Sequence, residues 1–314
     1  MPPGEEEAIA IPDGVGESFG RRQFLGRFLA AGGVGLGAAL LHGAGLGTGP
    51  SRAQAATAPP KAPPPGFPPN KQNPSGITVR PDDPAITAGM IEYPGVITPL
   101  LGYLSAPTGS AVYPGILVLH EVEGLTEHYK DITRRLARSG YVALAPDLLS
   151  RAGGTAKLGD LAHITAALGS TGTGQFVQDM NTSVRYLESQ PLVSKSRIGV
   201  LAFGIGATLM WILLTQNHDI KAAVGFSANP PSPTTAPNIS AAVLVIFGDG
   251  ENRDKDGIAQ FEAAMQDAGL GWSAKIEPKA GPGFFNDVRD QYVPDAAQDA
   301  WRLTLDWYAK YLAG

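Results

Sequence analysis

A doubly wound α/β fold, with a mostly parallel sheet flanked by helices, is predicted for this sequence by three observations. From Ile77 onward, short apolar runs alternate with longer amphipathic segments. Several of those runs are β-branched and lack polar alternation, as strands buried on both faces of a parallel sheet do. One of them, GVLAFGIGATLMW (Gly199–Trp211), passes from an apolar strand through a glycine-rich turn directly into an apolar helix.

Taken in order, strands are predicted at Leu101–Ser105, Ile116–His120, Val142–Ala145, Ile198–Ala202, Ala222–Phe226, Val243–Phe247 and Ala274–Glu277. Between them, helical spacing of apolar residues predicts Glu127–Ser139, Gly174–Gln190, Ala207–Gln216, Gly257–Ala268 and Asp295–Leu312. In the last of these, Ala297, Trp301, Leu305 and Tyr308 recur on one face and are read as packing residues. Ligands of such sheets sit beyond the C-terminal ends of the strands. The segments that could carry chemistry are therefore His120–Leu125, Asp147–Gly154, Phe203–Ala207, Gly248–Asp256 and Ala280–Asp287.

Apolar residues make up 43% of the chain and charged residues 17%, enough for a substantial core. The formal net charge of −5 gives no basic footprint for nucleic acid. The absence of cysteine excludes disulfides, thiolate metal sites and cysteine nucleophiles. No ligand-spaced histidine pair or Asp-x-Asp-x-Asp-Gly loop is present, so neither a metal nor another cofactor is expected.

Three regions divide the chain. In residues 1–55, Arg21-Arg22 precedes a glycine-diluted apolar stretch (Phe28–Leu46) and a small-x-small site, Ala53-Gln54-Ala55. This resembles a twin-arginine (Tat) export signal, which implies the Tat machinery as a partner and a periplasmic or extracellular destination. Membrane contact would come only through this segment, if it were kept. Residues 56–77 are proline-rich and read as a semi-rigid spacer. Residues 78–314 hold the folded domain.

Four ordered blocks of that domain carry a family resemblance. They are LVLHEVEGLTEHYKDITRRLARSGYVALAPDLLSRAGG (Leu117–Gly154), the Gly199–Trp211 stretch, VIFGDGENR (Val245–Arg253), and AGPGFFNDVRDQY before the Trp301 helix. Together they resemble the dienelactone hydrolase family of α/β-hydrolases, which implies the α/β-hydrolase fold and hydrolysis of carboxylic esters or lactones. The resemblance puts the family's nucleophile at Gly204, its histidine at Pro282 and its acid at Glu251, with Asp249 and Asp254 close enough to compete for the acid position.

Carried over in this way, the catalytic pair is missing. Gly204 has no side chain to attack a carbonyl, and Pro282 can neither take nor give a proton. Chain order agrees. In this superfamily the histidine follows the acid, whereas His42, His120, His128, His163 and His218 all precede Glu251. What the resemblance leaves in place is an oxyanion hole of backbone N–H groups, at Val122 and Ile205, since such donors do not depend on side-chain identity. At Gly204, glycine would adopt the turn's unusual dihedrals without a Cβ penalty.

Other polar groups have two readings each. Glu121 either orients a ligand or water, or accepts hydrogen bonds from loop N–H groups. Arg151 either holds a carboxylate over the pocket or is a solvated loop residue. Phe203 and Phe284 are pocket candidates that could equally fill it. His120 and Ser227 are read as structural. The expectation is a non-catalytic relative that binds a small carbonyl or carboxylate compound or serves as an interaction module. The alternatives are an ester or lactone hydrolase using a water activated by Glu121 or Glu251, and carboxylate-based lyase or isomerase chemistry.

Overall fold

The computed structural model describes residues 76–313. The twin-arginine pair and most of the proline-rich spacer lie outside the described residues. No helix among those described is long and apolar enough to cross a membrane.

Eight strands form one sheet: β1 (Ile86–Tyr93), β2 (Leu100–Pro107), β3 (Tyr113–Leu119), β4 (Val142–Pro146), β5 (Val193–Phe203), β6 (Ile220–Phe226), β7 (Ala242–Gly248) and β8 (Trp272–Glu277). Their order is β1-β2-β4-β3-β5-β6-β7-β8. The β1–β2 and β2–β4 pairs are antiparallel and all the others are parallel. The seven predicted strands are β2 to β8. The unpredicted β1 is an edge strand with only Ile86 and Tyr93 buried and Met90 half exposed, so it has no apolar run to reveal it.

The helices are α1 (Glu127–Arg138), α2 (Thr155–Leu158), α3 (Leu161–Ser170), α4 (Thr173–Glu188), α5 (Ile205–Leu214), α6 (Lys255–Asp267) and α7 (Pro294–Tyr311). Nine of the ten residues of α5 are buried, as expected of a helix that is apolar all round. Gly206 lets its first turn approach the end of β3: a Cβ there would lie 2.6 Å from the Leu119 carbonyl oxygen. Helices α2 and α3 were not predicted. The second is only weakly amphipathic, burying Ile164 and Leu168 and leaving Leu161 exposed. Its start is nonetheless marked by an N-cap, since the Asp160 side chain accepts from the His163 N–H.

Helix α1 carries a feature that hydrophobic patterning does not anticipate: Asp131, Arg134 and Arg135 are all fully buried. Asp131 Oδ1 accepts the Thr78 and Val79 N–H groups at 3.0 and 2.8 Å, and its Oδ2 accepts Arg135 Nε at 2.5 Å. Arg134 donates to the Val79 carbonyl, the Tyr103 hydroxyl and Glu127. Arg135 then reaches Asp287 at 3.1 Å. This network ties the start of the domain and the loop before α7 to one helix, and so fixes the loop that closes the site.

Chain order locates that site. From β3 the chain moves outward to β4, then returns to place β5 on the other side of β3. Such a reversal opens a crevice at the C-terminal ends of the two central strands. Glu121 follows β3 and Gly204 follows β5.

Candidate active site

Gly204 has φ +50° and ψ −113° and is the N-cap of α5. Its N–H donates to the Phe226 carbonyl at 3.2 Å, which holds the turn against the end of β6. The turn is a sharp strand-to-helix elbow in a conformation that L residues rarely adopt. The space beside it is occupied. A Cβ built on Gly204 would meet the Glu121 side chain at 2.5 Å (Cγ) and 2.6 Å (Oε1). Glu121 therefore lies where a nucleophile's side chain would begin.

Glu121 is held there by Arg289, whose guanidinium donates to Oε2 at 2.6 Å and also to Glu123. Burial pushes the Glu121 carboxyl up, against the opposing pull of Arg289. The second of its two readings, bonding to loop N–H groups, is replaced by this ion pair. Two other carboxylates near the strand ends are also paired: Arg289 serves Glu123, and Arg253 lies 3.5 Å from Asp249.

The competition among the three acids after β7 is decided by geometry. Asp254 caps α6 by accepting the Gly257 N–H, and Asp249 points to solvent. Glu251 turns inward. Its Oε1 accepts the Gly248 N–H at 2.8 Å and the Ser227 hydroxyl at 3.0 Å. Burial raises the Glu251 carboxyl above its ordinary range, and these two hydrogen bonds only partly offset the rise. Pro282 is exposed in the turn before Gly283, so this position supplies no imidazole to Glu251.

A cavity of about 20 Å³ lies among these residues, walled by Glu121, His128, Tyr129 and Ser227. That is room for about one water molecule. Phe203 and Phe284 both reach its wall, but as parts of an aromatic floor. The ring centroids of Phe203 and Phe226 are 4.9 Å apart, those of Phe226 and Phe285 4.7 Å, and Phe285 continues to Trp301 at 6.3 Å.

Two expectations need correction. Arg151 does not stand over the cavity. Its Nε and Nη2 bind the Asp179 carboxylate at 2.7 and 2.8 Å, and Nη2 also reaches Gln178, so its charge is spent on α4. Ser227 is more than loop structure, since it walls the cavity and is hydrogen-bonded to the acid-position carboxylate. His120 is structural: Nε2 accepts the Leu148 N–H at 3.0 Å, which leaves Nδ1 to donate to the Glu121 carbonyl at 2.7 Å. The Val122 and Ile205 N–H groups, which follow Glu121 and Gly204, donate to no other backbone group in the turn network.

Sequence reasoning missed His128 and Arg289. His128 is buried, with Nδ1 2.6 Å from Asp287 Oδ1. Burial lowers its pKa, against the Asp287 hydrogen bond, so the neutral ring donates from Nδ1 and leaves Nε2 as an acceptor. No hydroxyl of the described residues is hydrogen-bonded to that nitrogen. A signal for His128 exists, because a crossover helix after β3 starts at the C-terminal edge of the sheet, which places its first turn at the site. Nothing local in sequence marks Arg289.

The comparisons with known proteins bear on this geometry. A model of the dienelactone hydrolase family matches residues 100–312. The chain belongs to the dienelactone hydrolase family. It is 28% identical over 246 residues to a Methylorubrum extorquens protein named "Putative carboxymethylenebutenolidase", covering 74% of this chain and 84% of that one. It is 30% identical over 226 residues to a Bradyrhizobium protein named "Probable 2-oxo-3-(5-oxofuran-2-ylidene)propanoate lactonase", covering 68% of this chain and 90% of that one. Among solved structures, a "Putative Dienelactone Hydrolase" from Klebsiella pneumoniae superposes with a TM-score of 0.65 at 24% identity, over 72% of this chain and all of the other. That likeness establishes the shared fold.

Proposed function

We propose that this member of the dienelactone hydrolase family works without the family's covalent acyl transfer: it is an exported protein that binds a small carbonyl or carboxylate compound and does not turn it over. The observation that carries this reading is the Glu121 side chain seated beside Gly204. Acyl transfer through an activated nucleophile needs an attacking atom and a base in hydrogen-bond reach of it. At this elbow the first is absent and its space is filled.

The resting pocket has room for about one water molecule, so a larger ligand would enter by displacing side chains, Arg289 on Glu121 and Glu123 among them. A ligand carboxylate is matched to that guanidinium, and a carbonyl oxygen to the N–H groups of Val122 and Ile205. The check is to incubate the mature protein with a panel of small lactones, aryl esters and keto acids. Thermal stability reports binding, and NMR of the ligands reports their integrity. The expected result is a rise in Tm with at least one member and no ligand consumed beyond one equivalent per chain. Export is tested separately: Arg21→Lys with Arg22→Lys is expected to keep the protein in the cytoplasm, and normal secretion of that variant would refute it.

One observation favours the alternative, hydrolysis by an activated water: the single-water cavity lies against the Glu121 carboxylate. Glu251 is less suited to that role, because its Oε1 is already engaged by Gly248 and Ser227. Steady consumption of a lactone that stops in Glu121→Gln would establish the alternative and refute the binding reading.

A further inference from the structure

Among the described serines and threonines, Ser227 stands apart in three ways. Its φ is +59°, and among the described residues only Lys279 shares that left-handed conformation without being glycine. Such strain persists only where the surroundings enforce it, and it clusters at sites that act. Here the enforcement is visible: the Ser227 N–H donates to the Ile246 carbonyl at 2.9 Å, while its hydroxyl donates to Glu251 at 3.0 Å. Second, it borders the cavity together with Glu121 and His128. Third, it directly follows Phe226, whose carbonyl accepts the Gly204 N–H, so it lies one strand over from the emptied elbow.

We infer that Ser227 is an acyl-acceptor site, with the Glu251 carboxylate as the base that takes its proton. The chemical class of donor is an activated ester, such as an aryl ester, whose leaving group needs no acid. In the step, Ser227 Oγ forms a bond to the carbonyl carbon, and the hydroxyl proton passes to Glu251. The carbon–oxygen bond to the phenol then breaks, and the phenolate departs to be protonated by solvent. The product is an acyl ester on Ser227. The elevated carboxyl of Glu251 makes it a stronger base than an ordinary surface glutamate, in keeping with the role. Among the described residues no imidazole is hydrogen-bonded to Ser227 Oγ to activate water on the ester, so the acyl group stays. The site reacts once per chain. This goes beyond the binding function proposed above and rests on different residues.

The experiment uses the mature protein with p-nitrophenyl acetate, followed by intact-mass and peptide mass spectrometry and by phenolate release. The expected result is one acetyl group on the peptide bearing Ser227 and one equivalent of phenolate. Ser227→Gly removes the hydroxyl while suiting the positive φ, so it keeps the fold and is expected to lose that label. Glu251→Gln retains an acceptor for the hydroxyl but not the base, and is expected to slow labelling by roughly 10²-fold, in the range of general-base catalysis. Absence of acetyl-Ser227, or labelling at an unchanged rate in Glu251→Gln, would overturn the proposal. Continued phenolate release that is lost in Ser227→Gly would overturn the once-per-chain proposal, whereas continued release that persists in Ser227→Gly beside a stable acetyl-Ser227 in the wild type would refute the non-turnover function alone. The two readings therefore fail separately.

Discussion

Gly204→Ala is expected to destabilise the protein by roughly 2–5 kcal/mol, the sum of a strained left-handed backbone and an overpacked contact. Both terms arise from one methyl group. At φ +50° an L side chain is disfavoured wherever it points, and here it points into Glu121 at 2.5 Å. Glu121 is a flexible residue, but its Oε2 is bound to Arg289, so moving it breaks an ion pair. The two contributions separate in a double-mutant cycle. Glu121→Ala removes the clash and leaves the backbone term, so the double variant is expected to be about 1–2 kcal/mol more stable than the sum of the singles. Denaturant titration of the four proteins measures this coupling. Additivity within about 0.5 kcal/mol would mean that Glu121 does not occupy the space beside Gly204. A serine or cysteine meets the same obstacle, so restoring a nucleophile at residue 204 requires Glu121 to move first.

Asp131→Ala is expected to cost about 3–5 kcal/mol, the usual consequence of removing one partner from a buried charge network. The loss takes from buried Arg135 one of its carboxylate partners and from the Val79 N–H its acceptor, and it removes the Oδ1 that the Thr78 N–H donates to. For a domain of this size the corresponding fall in Tm is on the order of 10 °C. Because Arg135 also holds Asp287, the loop that carries Phe284, Phe285 and Arg289 is expected to loosen. Hydrogen exchange there should rise more than in β6 or β7. A variant with wild-type Tm would show that the network contributes no net stability.

The fold was legible because its strands are of the kind that periodicity detects. Strands β3 to β7 are apolar runs buried on both faces, and α5 is apolar all round. Edge strand β1 escaped because one solvated strand with Gly89 in the middle has neither a run nor a clean alternation. In the site, the turn at Gly204 and the inward acid Glu251 were readable from block order. What occupies the elbow was not. That Glu121 fills it depends on Arg289, which is 168 positions away in sequence. Arg151 misled for a related reason: a loop arginine at the strand ends looks available until its distant partner, Asp179, is placed. Ser227 was passed over because a serine nucleophile was sought beside a histidine, whereas its partner is a carboxylate. Long-range pairing of polar side chains is the part of the structure that local pattern does not encode.

The central proposal is that this elbow, with Glu121 seated beside a glycine in place of a reacting atom, does not turn esters or lactones over. Its most direct test is the steady-state rate of lactone and aryl-ester hydrolysis by the mature wild-type protein, measured after the first equivalent of product has been released. The expected result is no saturable turnover, with any residual rate within about 10³ of the uncatalysed reaction, the level left to backbone donors and binding. Saturable turnover well above that level would contradict the claim.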